Sequence, residues 1–236
     1  MDEAPNAGSR PTLTRERVLV GALALADAIG VEAFTMRRLA DALGVKPMTI
    51  YHHVASKELI LDGIVDLVFA EIDLPPQHLP WREAIRHRCL SARAALRRHP
   101  WAPAYMESRR SPGPALLTHH DAVLACLRRG GFSLPLTAHA YAVLDAYLYG
   151  FALQEAAIPV GGAAEVAALA DDILRDFPME AYPSFVAFTL GHVLRPGYSF
   201  GASFEVGLDL ILDGLERARA ADPRTGSAWD VPTPTG

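Results

Sequence analysis

Between Thr14 and Ile29 the apolar residues Val18, Leu19, Ala22, Leu23, Ala26 and Ile29 recur at the three-and-four spacing of one helix face. Thr14 stands where an N-cap belongs and Gly30 where such a helix stops. The pattern restarts at Thr35, with Leu39, Ala40 and Leu43 turned inward and Gly44 at the end. A further short helix fits Pro47–His53, since proline is tolerated in a first turn. Ser56 then opens a longer helix through about Ile72, with Leu59/Ile60, Ile64, Leu67/Val68 and Glu71 on one side. The following segment, DLPPQHLP (73–80), has three prolines in eight residues and cannot continue a helix, so a domain boundary is expected there.

Beyond the boundary the period remains helical. The spacing predicts helices over Trp81–Arg98, Trp101–Ser108, Pro114–Arg129, Leu136–Ala157, Ala163–Asp176, Ala181–Leu194 and Ser203–Ala220. Nothing alternates long enough for a sheet. The expected fold is therefore all-α: an arm over 1–12, a helical unit over 13–73, a larger helical domain over 80–221 and a disordered tail over 222–236, in which Trp229 is the one oddity. Residues 138–153, AHAYAVLDAYLYGFAL, are apolar nearly all the way round, so that helix must be covered on both sides.

Half of the 236 residues are apolar, enough for a sizeable core. No apolar run approaches the roughly 18 residues of a membrane span. Residues 1–11 contain no apolar core of a secretory signal, so a cytoplasmic location and no membrane partner are expected. Cys89 and Cys126 have neither metal-ligand spacing nor a disulfide pattern and are expected to fill core space. The net charge of −5 argues against a general nucleic-acid coat. Yet Arg37, Arg38, Lys46 and Lys57 face a single acid, Asp41, across residues 35–57.

That basic block coincides with two short helices joined through Gly44 and braced on either side, a helix-turn-helix arrangement. Gly44 permits a left-handed turn, and Val45 buries between the helices. The second helix would enter a major groove by its leading end, Lys46, Pro47, Met48 and Thr49. Tyr51, His52, His53 and Lys57 could donate to flanking phosphates, Thr35 would set a helix N-terminus against a phosphate, and Arg37 could reach a guanine edge. A purely structural helical hairpin satisfies the periodicity equally well.

The stretch FTMRRLADALGVKPMTIYHHVASKELILDGI (34–64) resembles the DNA-binding domain of the tetracycline-repressor (TetR) family of transcriptional regulators. The resemblance lies in Thr-x-Arg-x-Leu-Ala, the Leu-Gly-Val turn, Thr-x-Tyr-x-His and the lysine that follows. FEVGLDLILDGLE (204–216) is similar to the last helix of the tetracycline-repressor subgroup. The resemblance implies a DNA-binding homodimer with a small-molecule pocket in an all-α C-terminal domain. It assigns DNA contacts to Thr35, Arg37, Lys46, Pro47, Met48, Thr49, Tyr51, His53 and Lys57. It does not imply tetracycline, because Arg88 and Ala92 stand roughly where that repressor has an amide and an aromatic ring.

One such unit touches half a turn of DNA, so a self-complementary surface should pair two copies. Phe204, Gly207, Leu208, Ile211, Gly214 and Leu215 are the expected dimer face. A largely apolar effector would meet walls drawn from His87, Arg88, Trp101, Tyr105, His139, Asp145, Tyr147, Phe151, Phe188 and His192. Adjacent His119 and His120 point apart and make a poor metal pair, so neither metal nor cofactor is expected. No Gly-rich phosphate loop and no nucleophile beside a base suggests an enzyme. The expected function is a repressor released from a palindromic double-stranded operator by its effector. An effector-independent activator or architectural DNA-binding factor is the alternative.

Overall fold

The computed structural model describes residues 12–106, 112–158, 177–226 and 229, and among them it contains no strand. The expected helix over 163–176 lies outside these residues. The first four helices are α1 (Arg15–Ile29), α2 (Met36–Leu43), α3 (Pro47–Tyr51) and α4 (Lys57–Ala70). After the proline-rich boundary come α5 (Trp81–Arg98), α6 (Pro103–Met106), α7 (Pro114–Arg129), α8 (Leu134–Ala157), α9 (Pro183–Phe188) and α10 (Ser203–Ala221). No described helix is long and apolar enough to cross a membrane.

The caps follow the sequence closely. Thr14, Thr35 and Ser56 each accept a hydrogen bond from the backbone N–H three residues on, each at 3.2 Å. Gly44 takes φ +65°, and the Gly44 and Val45 N–H groups close the end of α2 on the carbonyls of Asp41 and Ala40. Several boundaries differ from expectation, among them the start of α6, at Pro103 instead of Trp101. α3 stops at Tyr51 because the N–H groups of His53 and Val54 both turn back onto the Ile50 carbonyl. α8 begins two residues early, at Leu134, because Ser133 caps it and Pro135 fits its first turn. The expected Ala181–Leu194 helix is broken into a 3₁₀ turn at Met179–Ala181, α9, and a π-turn at Thr189–Val193, where Tyr182 and Pro183 interrupt the first part.

Two cores result. In the first, α1, α2 and α3 converge on Val18, Ala22, Phe34, Leu39 and Ile50. The second gathers Ile85, Cys89, Leu96, Leu127, Phe132, Leu144, Leu148 and Phe204 from α5, α7, α8 and α10. α4 belongs to both: Ile60, Leu61 and Ile64 complete the first, whereas Val65, Val68 and Phe69 complete the second. Leu59, expected inside, is exposed, and so is Ile29. Both cysteines are buried free thiols, and burial raises each above the ordinary thiol range. The first residues of the expected loose tail are held: Asp222 accepts from the Ser133 hydroxyl at 2.5 Å, and the Trp229 indole donates to the Phe132 carbonyl at 3.1 Å.

α10 corrects the expected dimer face. Phe204, Leu208 and Leu215 are buried in their own chain, and Ile211 packs beside them. Gly207 also faces inward, under Tyr147, whose hydroxyl donates to the Phe204 carbonyl at 2.9 Å. Of the two expected glycines only Gly214 borders open space. A repeat of four and three identifies a stripe but carries no sign saying whether that stripe turns in or out. The outward apolar residues are Val206 and Leu210, 63% and 66% exposed, with Val143 and Leu153 on α8.

The two glycines therefore differ in sign. A Cβ at Gly207 would come within 2.2 Å of the Tyr147 hydroxyl. Gly207→Ala should lower stability by about 1 kcal/mol after the gain in helix propensity. Gly214→Ala should leave a monomer as stable or slightly more so. Thermal melts of the two variants check the difference, and equal shifts would contradict the inward placement of Gly207.

Candidate nucleic-acid interface and effector site

At the N-terminal unit, Ile50 is fully buried and fixes α3 against α2, which turns the other side chains of α3 outward. Met48 is 67% exposed; Lys46, Pro47, Tyr51 and His52 are also exposed, and Thr49 and His53 are half-buried. Thr35 and Arg37 are exposed at the start of α2. An exposed methionine among cationic and hydroxyl groups, held by a buried isoleucine, is a surface shaped for contact. Lys57 does a second job: its Nζ donates to the Phe34 carbonyl at 2.8 Å and lies 5.8 Å from that ring, tying α4 to the loop before α2. Two of its three N–H donors remain for another acceptor.

The ten residues expected to line an effector site do not form one wall. Arg88 and Asp145 meet deep in the second core, Nη1 to Oδ1 at 3.1 Å, and Arg88 is 2% exposed. Tyr147 and Phe151 stack on Phe204 and Phe200 and border a cleft of about 340 Å³ completed by Gly150, Gln154 and Ser203. His87 is exposed, 3.9 Å from Asp73, and His139 is exposed on α8. Phe188 and His192 pair with each other at 5.9 Å on the exposed segment of α9 and its π-turn. Periodicity reports which residues share one helix face; it does not report which faces of several helices converge.

Trp101 and Tyr105 lie between the domains. The Trp101 indole donates to Asp27 of α1 at 2.7 Å, and Tyr105 packs on the Trp101 ring and against both cores. The same Asp27 oxygen faces His99 Nδ1 at 2.8 Å, while His99 Nε2 faces Glu71 at 3.1 Å. Arg98 completes the tie with a 2.6 Å contact to Glu71. His99 is thus a buried ring held between the ends of α1 and α4. Burial works to raise the Glu71 carboxyl, but the hydrogen bonds from Arg98 and His99 outweigh it and hold the group below its ordinary value. Asp27, Glu71 and His99 come from three separate helix ends and carried no shared signal in the sequence.

Around the Arg88–Asp145 pair stand His119 and Tyr141. His119 is buried against the backbone of Phe69 and Ile72; burial and the neighbouring Arg88 cation push its imidazole down. Burial and then the Asp145 carboxylate push the Tyr141 phenol up, so it stays protonated. Among the described residues no group of three His, Cys, Asp or Glu could hold a metal ion.

Residues 74–219 match the family described as "Tetracyclin repressor-like, C-terminal domain", and residues 18–64 match "Bacterial regulatory proteins, tetR family". The chain belongs to the TetR family of transcriptional regulators. It is 35% identical over 150 residues to the HTH-type transcriptional repressor DrrR1 of Streptomyces coeruleorubidus, a match spanning 63% of this chain and 56% of that protein. It is 29% identical over 217 residues to the class C tetracycline repressor of Escherichia coli, spanning 88% and 92% of the two chains. The fold matches ActR of Streptomyces coelicolor in complex with actinorhodin at a TM-score of 0.72 and 28% identity, over 89% of this chain and all of that one.

Removing the shared acceptor between the domains should be costly. Asp27→Ala leaves buried His99 with one partner fewer and should lose about 1–3 kcal/mol in urea unfolding at neutral pH. Because folded Glu71 titrates below its unfolded value near 4.5, its contribution is full above that pH and is lost as pH falls through the folded value. Wild-type stability should decline there more steeply than that of Glu71→Gln; parallel curves would remove Glu71 from the tie.

Proposed function

We propose that this TetR-family chain is a transcriptional repressor that binds a palindromic operator as a homodimer and leaves it when a small, largely apolar effector occupies the C-terminal domain. The observation that carries the reading is the exposed end of α3 and start of α2, where Thr35, Arg37, Lys46, Pro47, Met48, Thr49, Tyr51 and His52 stand around a buried Ile50 anchor. Arg37 reads a base edge, Met48 and Pro47 supply apolar contact to a thymine methyl, and the hydroxyl and cationic groups bind phosphates. Such a regulator acts in the cytoplasm, where its DNA is.

Two copies pair through the outward faces of α8 and α10, on which Val143, Leu153, Val206, Leu210 and Gly214 stand uncovered. Tyr182, Phe185 and Phe188 are similarly exposed on the segment around α9 and extend that contact to the partner. The effector meets the cluster about Arg88 and Asp145. Its occupancy displaces α5 and α7 relative to α4, and the Asp27–His99–Glu71 tie passes that displacement to α1. The effector works only by its greater affinity for the DNA-incompetent arrangement.

Titration of operator fragments selected from random DNA tests the reading. Arg37→Ala should cost about 1–3 kcal/mol and relax preference at one position per half-site, whereas Tyr51→Phe should weaken all sequences alike. Leu210→Glu should yield a monomer with weakened operator affinity. Absence of two-fold-related sites among the selected fragments would end the proposal.

A further inference from the structure

The tie between the domains makes a demand that a neutral imidazole cannot meet. His99 caps the end of α5 and is 5% exposed, and both of its ring nitrogens face carboxylates. Nδ1 meets Asp27 Oδ1 of α1 at 2.8 Å, and Nε2 meets Glu71 Oε1 at the end of α4 at 3.1 Å. Either neutral tautomer has one N–H, so it donates to one carboxylate and turns a lone pair toward the other. The imidazolium has two N–H groups and satisfies both. A proton placed on a carboxyl instead is opposed by the neighbours. Asp27 Oδ1 already accepts the Trp101 indole N–H at 2.7 Å, and Glu71 Oε2 accepts Arg98 Nε at 3.0 Å and Nη2 at 2.6 Å. Donors of that kind favour the ionised carboxylate.

The charges give the same answer. His99 faces Asp27 from α1, Glu71 from α4 and, on its own helix, Arg98, which is turned onto Glu71. Trp101 stands edge-on to the ring at 6.4 Å, with Tyr105 packed on Trp101. Two carboxylates against one guanidinium leave one negative charge, which an imidazolium cancels. The C-terminal end of a helix favours a cation there as well. Burial works the other way, because it disfavours a charged ring, but two opposite charges in direct contact oppose it. One proton thus joins three helix ends. Without it a lone pair faces a carboxylate, and the ring holds α1 or α4 but not both.

We infer that His99 is a proton-operated clasp between the N-terminal unit and the larger domain: its imidazolium locks α1 and the end of α4 to the end of α5, and loss of the ring proton opens the lock. Histidine is the side chain that ordinarily changes charge around neutrality, so the clasp answers to pH in the range a cell experiences. Its contribution is present on the acid side and is lost as pH rises and the ring gives up its proton. Glu71 sets the opposite limit, since its own protonation, below the ordinary carboxyl range, removes one arm of the clasp. Resting on the repressor reading above, a closed clasp holds the two DNA-contacting units of a dimer at one spacing. An open clasp lets each unit swing, and that freedom must be lost again on the operator. The ring proton therefore favours operator binding.

Two measurements on the full-length chain test it. In nitrogen NMR of the histidine-labelled wild type, the His99 ring should carry two N–H groups at about pH 6 and one at about pH 8.5, and the Trp101 indole N–H signal should move in the same transition. Operator fragments selected from random DNA are then titrated at constant ionic strength at the same two pH values. The wild type should bind about three- to tenfold more tightly at the lower pH, over and above any change that His99→Gln shows. His52 and His53 stand beside the expected DNA contacts, and the variant leaves their share in place. Asp27→Asn keeps an acceptor for Trp101 while removing a charge, and it should flatten the wild-type dependence in the same way even where His99→Gln folds poorly. The inference is overturned if the ring carries one N–H at both pH values, if it keeps two at both, or if wild type and variants share one pH dependence. A chain that selects no operator, while the His99 and Trp101 signals still move together, defeats the repressor reading alone. Operator binding whose pH dependence is the same in wild type and variants defeats the clasp alone.

Discussion

The organisation of this protein depends on α4 being a shared wall. Its first turns complete the core of the N-terminal helical unit and its last turns complete the core of the larger domain. Ile60 and Ile64 on one side of the division, and Val68 and Phe69 on the other, are each buried to 1% exposure or less. Removing any of them from contact costs about 1.5–3 kcal/mol of burial. A helix anchored so firmly at both ends cannot move in one domain without being felt in the other. The polar tie of Asp27, Glu71, Arg98 and His99 runs parallel to it and fixes the angle between α1 and the end of α5. Apolar burial supplies the strength of the joint; the hydrogen bonds supply its direction.

The electrostatics of the larger domain follow a similar division. α10 is pinned to α5 on the surface by Arg86 with Glu205 and Asp209, and by Arg82 with Asp213. Such exposed pairs add little stability but choose one register of the two helices. Inside, Arg93 holds Glu155 through two hydrogen bonds while its guanidinium lies over the rings of Phe151 and Phe204. That planar cation joins α5, α8 and α10 in one place. It also explains why Phe151 is packed into the wall of a cleft and not left to swing across it.

Much of this was legible in the chain. Thr14, Thr35, Ser56, Gly30 and Gly44 mark helix ends by local chemistry that neighbouring structure does not override, and the prolines of 73–80 keep that stretch free of helix for the same reason. α5 and α7 were bounded to the residue because Pro80, Pro114 and Gly130 punctuate them. The short α3 and the Gly44 turn before it were legible because their motif is local. The sidedness of α10 was not, since an apolar stripe looks alike whether its own chain or another covers it. Nor was the convergence of helix faces: the Arg88–Asp145 pair was open to inference because a buried charge demands a partner, but the neighbours of His87, Trp101 and His139 are set by tertiary packing. His119 and Tyr141, which stand around the Arg88–Asp145 pair, had only the ordinary signature of aromatic residues on helices.

The two thiols have a consequence for the chemistry this protein admits. Cys89 and Cys126 are each 1% exposed, and burial keeps both protonated. A protonated, enclosed sulfur is a poor nucleophile toward peroxide or disulfide reagents. Thiol oxidation thus has no ready handle on the folded molecule.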